Sequence, residues 1–298
     1  MEYFDTIFDI EIKNPTAITI GKFDGFHKGH HLLISEIISK KAKGLSSCLI
    51  TFKNSPRLFL SKDRTLSLFT NKERDYILEK NGINYLIECE FNKKFMQIEA
   101  TKFIEILCKN LNMKYLVIGE DFRFGYKGAG NIELLKILSK KYGFELKIIN
   151  KVKINNKDIS SSIIREEILK GNIDKVNEML GYEYFIIGET NWKELSKNRI
   201  GMNPLVIIPH KDKLIPRLGV YYTKIIYEGK IYNGITKIRK NQSVNDDYKC
   251  SEDDVLIETY SIELPKELNG KEIILIFKKY YGEKMIFYSF EDIKMAIK

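Results

Sequence analysis

The sequence predicts an α/β chain: a doubly wound parallel sheet followed by a smaller antiparallel β-barrel. Three observations carry that expectation. Short, β-branched apolar runs alternate with helix-period segments as far as residue 150. From residue 188 onward strand-like runs follow one another across turns, with no helix between them. And a glycine- and histidine-rich turn, residues 21–30, stands directly between the first apolar run and the first helix.

Residues 17–20 (Ala-Ile-Thr-Ile) read as a buried strand ended by Gly21. A helix begins after His30, where Leu32, Leu33, Ile37 and Ile38 recur at near-helical spacing, and runs to about residue 41. Residues 47–52 form a second strand. A helix near 71–80 leads to a strand at 85–90, another near 100–111 leads to 115–118, and one near 132–141 precedes 145–149. Such alternation gives right-handed βαβ units, with ligands bound beyond the carboxyl ends of the strands. In the second part, runs at 205–208, 219–227, 230–235, 255–262 and 272–281 read as an antiparallel barrel or sandwich, and a helix near 290–297 closes the chain.

The 298 residues suffice for two domains, expected at 1–187 and 188–298. The net charge of +9 comes from dispersed lysine; no basic block with interleaved aromatics argues for nucleic acid. Cys48, Cys89, Cys108 and Cys250 are widely spaced and form no CxxC pair, so free thiols are expected rather than a zinc site or disulfides. The first fifteen residues lack the pattern of a signal peptide, and no apolar run approaches the ~18 residues of a membrane span. A cytoplasmic protein is expected, with no membrane and no obligate protein partner.

The turn Gly21-Lys22-Phe23-Asp24-Gly25-Phe26-His27-Lys28-Gly29-His30 points backbone N–H groups and a helix N-terminus at whatever lies above the first strand, which suits phosphate. Gly25 and Gly29 remove side chains where a polyphosphate needs close approach. His27 and His30 can donate hydrogen bonds and, when protonated, add positive charge. Fixing Gly21, Phe23, Asp24, Gly25, His27, Gly29 and His30 together is expected by chance at roughly one start point in a billion. The pattern resembles the signature of bacterial FAD synthetases, a branch of the HxGH nucleotidylyltransferase superfamily with a Rossmann-like sheet.

Two later segments extend the resemblance. Gly119-Glu120-Asp121-Phe122-Arg123-Phe124-Gly125 is similar to the family's GxDFRFG loop; alone it is equally a strand–turn with a surface salt bridge and core aromatics. The resemblance makes Asp121, Phe122, Arg123 and Phe124 flavin-site residues, with the two rings bordering a planar ligand. Ile159-Ser160-Ser161-Ser162-Ile163-Ile164-Arg165 is similar to the ISSTxIR motif, with Ser162 in place of threonine. One serine suffices to cap the helix that follows, which leaves hydroxyls for an anion, and Arg165 lies one turn past Ser161. Thr51-Phe52-Lys53-Asn54-Ser55-Pro56 departs from the usual TFxPHP, with Asn54 and Ser55 replacing proline and histidine.

The second domain resembles riboflavin kinase at 214–221 and 269–273, and departs from it where chemistry is required. The family's GFPTAN aligns with Gly201-Met202-Asn203-Pro204-Leu205-Val206, so both polar ligands are gone, and NIGxxPT aligns with residues 237–243, without its glycine and proline. Glu258 matches the kinase's general base, although a carboxylate in an alternating strand is as often just solvent-facing.

The resemblance implies FMN adenylyltransferase chemistry: ATP and FMN give FAD and pyrophosphate, with Mg²⁺ on the triphosphate. Gly21, Phe23, Gly25, Gly29, His27 and His30 would hold ATP's phosphates, and Ser160, Ser161, Ser162 and Arg165 the pyrophosphate. Asp24 would serve a metal or positioning. The alternatives are a bifunctional enzyme with kinase intact, an HxGH adenylyltransferase for another phosphate acceptor, and a flavin-binding paralogue of weak activity.

Overall fold

A computed structural model describes residues 1–53, 66–154, 156–192, 203–240, 255–261, 264–283, 291–292 and 295. The strands are β1 (Glu2–Phe4), β2 (Thr16–Ile20), β3 (Ser46–Phe52), β4 (Tyr85–Cys89), β5 (Met113–Gly119), β6 (Glu145–Ile149), β7 (Lys153–Ile154), β8 (Lys157–Asp158), β9 (Phe185–Trp192), β10 (Leu205–Pro209), β11 (Gly219–Tyr227), β12 (Lys230–Lys240), β13 (Val255–Tyr260) and β14 (Glu272–Gly282). The α-helices are α1 (Lys28–Ser39), α2 (Asn71–Lys80), α3 (Lys93–Met96), α4 (Ala100–Asn110), α5 (Ile132–Tyr142), α6 (Ser161–Lys170) and α7 (Ile173–Leu180). The chain divides into two compact units, Met1–Thr65 with Arg74–Ile159, and Leu66–Glu73 with Ser160–Lys298.

In the first unit β1-β4-β3-β2-β5-β6 form one sheet in that order, every pair parallel. β2 and β4 are buried along their whole length, the mark of a sheet covered on both faces. Ile18, Ile20, Cys48, Ile50, Leu116 and Ile118 share a core with Phe103 and Leu107 of α4 and Leu135 and Leu138 of α5. The alternate strand positions face the other way, the side on which α1 packs against β2, β3 and β5.

The phase of α1 differs from the expectation. Leu33, Ile34 and Ile37 are its buried residues, whereas Leu32 is 46% exposed. His30, Leu33, Ile34 and Ile37 follow i, i+3, i+4, i+7, so the inward face carries the histidine. The three-residue edge strand β1, too short for a periodic signal, was not expected, nor were α3 and the β7–β8 hairpin.

In the second unit β10-β13-β12-β11-β14-β9 close into a barrel of antiparallel pairs, which settles the barrel-or-sandwich alternative. A chain of buried hydroxyls, Thr223 to Thr236 at 2.7 Å and Thr236 to Thr259 at 2.8 Å, crosses β11, β12 and β13. The strand pattern starts at Phe185, a little before residue 188. Among the described residues no helix is long and apolar enough to cross a membrane. Cys48, Cys89 and Cys108 are free thiols; burial pushes Cys89 up to about 12 and Cys108 to about 11. Asn54, Ser55, Gly201, Met202, Cys250, residues 241–243 and most of the expected helix at 290–297 lie outside the described residues.

Candidate functional site

The first unit's site begins where β2 ends. Gly21 N donates to Ile50 O at 3.1 Å, extending the ladder by one bond before the chain turns away. Three of the next residues have left-handed backbones: Phe23 (φ 48°), Gly25 (φ 93°) and Phe26 (φ 38°). For two phenylalanines this is costly, and such strain persists only where surroundings over-determine it. Here the compensation is burial: both rings are essentially inaccessible and lie 5.9 Å apart, nearly parallel. A Cβ on Gly21 would stand 3.1 Å from the Phe23 ring, so any other residue there would press on that ring.

This turn delivers His27 as the N-cap of α1, with extended backbone (φ −66°, ψ 170°) and no side-chain cap bond. The His27 side chain thus leaves the N-terminal N–H groups of α1 uncapped. The His27 ring instead stacks on His30, centroids 3.8 Å apart and 19° from parallel, and His30 leans on Phe23 at 5.1 Å. Gly29 has a tighter role than clearing space for phosphate, since a Cβ there would lie 3.2 Å from the His27 imidazole. Asp24 is buried, its carboxylate 3.5 Å from Lys22 Nζ.

Burial decides the charge of the histidines, which the sequence leaves conditional on protonation. Burial, with His31 nearby and Asp24 opposing, pulls His27 down to about 4, and burial beside His27 and His31 pulls His30 well below its ordinary range. The Nδ1 atoms of both rings are buried without a hydrogen-bond partner among the described residues. At neutral pH the pair is therefore neutral, an arrangement of aimed dipoles rather than cations. The unfolded chain binds protons first as pH falls through 6.5, so stability rises with pH across this window. Stability is expected to be full above pH 6.5 and to decline as pH falls towards 4, His27 contributing up to about 3 kcal/mol. Thermal midpoints taken from pH 7.5 to 4 check this, and His27→Gln with His30→Gln should flatten the slope.

Beside the turn, and sharing Ile20 and Gly21 with β2, lies a cavity of about 430 Å³. Its walls are Phe52 at the end of β3, Phe91, Phe95 and Met96 after β4, Ile98 and Phe103, and Phe122, Arg123, Phe124, Gly125, Lys127 and Gly128 after β5. All of this stands beyond the carboxyl ends of parallel strands. Phe122 and Phe124 stack at 5.6 Å and 14°, while Phe52 meets Phe91 and Phe95 edge-on at 5.5 and 5.4 Å. Size and lining suit one planar ring system, with Arg123 and Lys127 as the charged groups.

Three of the four flavin candidates line this cavity: Phe122, Arg123 and Phe124. Asp121 does not; its exposed carboxylate lies 3.1 Å from Lys151 Nζ. The sequence reading missed Phe52, Phe91, Phe95 and Phe103. Their signal was available, since Phe52 and Phe91 fall at or just past predicted strand ends.

In the second unit Ser160 caps α6, accepting from Ile163 N at 3.4 Å, and Ser162 is exposed. Arg165 donates Nε and Nη2 to Leu66 O at 3.2 and 3.0 Å, and Nη1 to Ser161 O at 3.4 Å. Glu258 is not solvent-facing: it is 3% exposed and held by both arms of Arg239, Nε to Oε2 at 2.9 Å and Nη2 to Oε1 at 2.8 Å. Leu205 and Val206 are buried in β10. Among the described residues no group of three or more histidine, cysteine or acidic side chains could hold a metal ion.

Comparison with known proteins also divides the chain in two, with Leu66–Glu73 and residues 160–163 falling in the first part rather than the second. Residues 9–163 match the family model for FAD synthetase, and residues 180–298 match that for riboflavin kinase. A protein of Buchnera aphidicola named bifunctional riboflavin kinase/FMN adenylyltransferase is 34% identical over 296 residues, covering 96% of this chain and 91% of the relative. The chain belongs to the FAD synthetase family. A second family member, from Haemophilus influenzae and named the same way, is 29% identical over 94% of this chain and 90% of its own. In fold, this FAD synthetase family chain is similar to a structure titled macrolide-efflux protein from Streptococcus pneumoniae, with TM-score 0.83 and 22% identity over 98% and 94% of the two chains.

Proposed function

We propose that this chain transfers the adenylyl group of ATP to FMN, giving FAD and pyrophosphate. A phosphate oxygen of FMN attacks the α-phosphorus of ATP; the new P–O bond forms as the bond to the bridging oxygen breaks and pyrophosphate leaves. No covalent residue is needed, so the protein's task is alignment and stabilisation of charge growing on phosphate oxygens. The observation that carries the reading is the stacked, neutral His27–His30 pair at an N-terminus of α1 free of side-chain capping, joined through Gly21 to an aromatic cavity.

His27, His30, Gly21, Phe23, Gly25 and Gly29 are assigned to ATP. Phe122, Arg123 and Phe124 are assigned to the flavin, with Phe52 and Phe91 added; Asp121 is assigned a role at the loop's edge through Lys151. Ser160, Ser161, Ser162 and Arg165 are assigned to pyrophosphate. Mg²⁺ fits as a passenger of the triphosphate, because it favours phosphate oxygens and one or two carboxylates over an all-protein cage, and Asp24 is the carboxylate of this turn. There it supplies charge neutralisation on the leaving group.

Residues 1–187 are assigned adenylyl transfer and 188–298 a kinase fold whose activity is lost. Supporting the loss, both oxygens of Glu258 are taken by Arg239, which stands where the aligned kinase segment has glycine. A base so forked must break two charge-assisted bonds before it accepts a proton. The second reading is a bifunctional enzyme, as the relatives' names have it. The test is pyrophosphate release from ATP by the full chain with FMN or riboflavin as acceptor. Release is expected with FMN, and FMN formed from riboflavin at less than about one hundredth of that rate. FMN formed at a comparable rate would restore the bifunctional reading, and no FMN-dependent release would leave a flavin-binding paralogue.

A further inference from the structure

The second unit holds a buried cation that the reaction above does not use. Lys213 is 2% exposed, and its three ammonium protons all have acceptors: Leu68 O at 2.7 Å, Phe185 O at 2.8 Å and Glu73 Oε2 at 2.8 Å. The ammonium also stands over the faces of Phe69 and Tyr184, at 4.2 and 4.3 Å. Glu73 is equally committed. Its Oε1 accepts from Ile187 N at 2.8 Å and its Oε2 from Thr70 N at 2.9 Å, while Glu73 N donates to Thr70 Oγ1 at 3.2 Å, a capping box.

Desolvation offsets most of what such a pair gains, so its value lies in fixing one geometry. What it fixes is the segment Leu66–Glu73. The same segment is tied along its length: Ser67 N donates to Asp212 O at 2.7 Å and Leu214 N to Ser67 O at 2.8 Å, and Leu214 is itself held by Tyr184 Oη, which donates to Leu214 O at 2.6 Å and lies 3.4 Å from Leu68 O. Its first carbonyl, Leu66 O, is the one that holds the Arg165 fork. A single residue, Ser67, separates the carbonyl gripped by the ammonium (Leu68) from the carbonyl gripping the guanidinium (Leu66).

We propose that Lys213 is a positioning residue for pyrophosphate. By pinning Leu68 and Glu73 it places the Leu66 carbonyl, and that carbonyl holds Arg165 beside Ser161 at the first turn of α6 before any anion arrives. This rests on the assignment of Arg165 to pyrophosphate. Its physical content is pre-organisation: an arginine already held in place loses less side-chain freedom on binding.

The probe is inorganic pyrophosphate, titrated calorimetrically into the full chain and used separately as a product inhibitor. Lys213→Met combined with Glu73→Gln removes both charges together, keeps the side-chain volumes and keeps the capping box. Pyrophosphate affinity is expected to fall about tenfold in both readouts, with the KM for FMN unchanged and no further loss when Arg165→Ala is added. Unchanged affinity in the folded variant overturns the proposal, as does a loss fully additive with that of Arg165→Ala. Arg165→Ala alone separates the two claims: if it leaves pyrophosphate affinity intact, the assignment of Arg165 fails and Lys213's role with it. If it weakens affinity while the paired variant does not, only the positioning role fails. Should the paired variant not fold, Tyr184→Phe removes the bond to Leu214 O, whose own N–H holds Ser67 O, and spares the ammonium. A loss of about threefold is then expected, and none overturns the proposal.

Discussion

Replacing His30 by alanine is expected to lower FMN-dependent pyrophosphate release about a hundredfold, at nearly unchanged FMN affinity. The ring is packed between His27 at 3.8 Å and Phe23 at 5.1 Å, and its buried Nδ1 has no hydrogen-bond partner among the described residues. A dipole fixed in this way costs no reorganisation when charge develops on a phosphate oxygen, so its removal appears in kcat. The alanine variant also deprives His27 of the surface it stacks on, which adds to the loss. His30→Asn keeps a donor of shorter reach and should recover part of the rate, an outcome that simple loss of packing does not give. A fall of less than about threefold in a folded alanine variant would separate these histidines from the reacting phosphates.

How much of this was legible in the sequence depended on how local each feature is. The β2–turn–α1 succession was readable because strand, glycines, histidines and helix are contiguous in the chain. The same holds for Ser160 as the α6 cap, a three-residue relation. The phase of α1 was misread because Leu32 and Ile34 are equally apolar, and only packing against β2, β3 and β5 chooses between them. The charge of the histidines was not legible for a related reason: residue type sets the ordinary titration range, whereas burial is a tertiary property. Glu73 and Lys213 lie 140 positions apart, and no local pattern in the sequence joins them. Arg239 on Glu258 was equally out of sight, because cross-strand pairing becomes visible only once the register of β12 against β13 is known.

Gly125→Ala is expected to weaken FMN binding by more than about tenfold while leaving the parallel sheet folded. Gly125 has φ 74° and ψ −179°, a region that only glycine occupies without strain. A Cβ there would also stand 2.6 Å from the Cα and N of Ala100, backbone atoms of the first residue of α4 that cannot swing aside. The strain costs about 1–3 kcal/mol before the overlap is counted, so the loop must lift from α4. Two contacts then go: Tyr126 N to Ile98 O at 2.7 Å, and the paired bonds between Phe124 and Gly130 at 3.3 and 2.8 Å. Since Phe122, Arg123 and Phe124 are carried by this loop, the cavity wall moves with it. The sheet's ladders do not involve residue 125, so thermal stability should change little compared with affinity. Fluorescence titration of FMN into the wild-type and variant chains reads the effect directly. If Gly125→Ala binds FMN as tightly as wild type, the flavin does not occupy this cavity, whatever the histidine variants show.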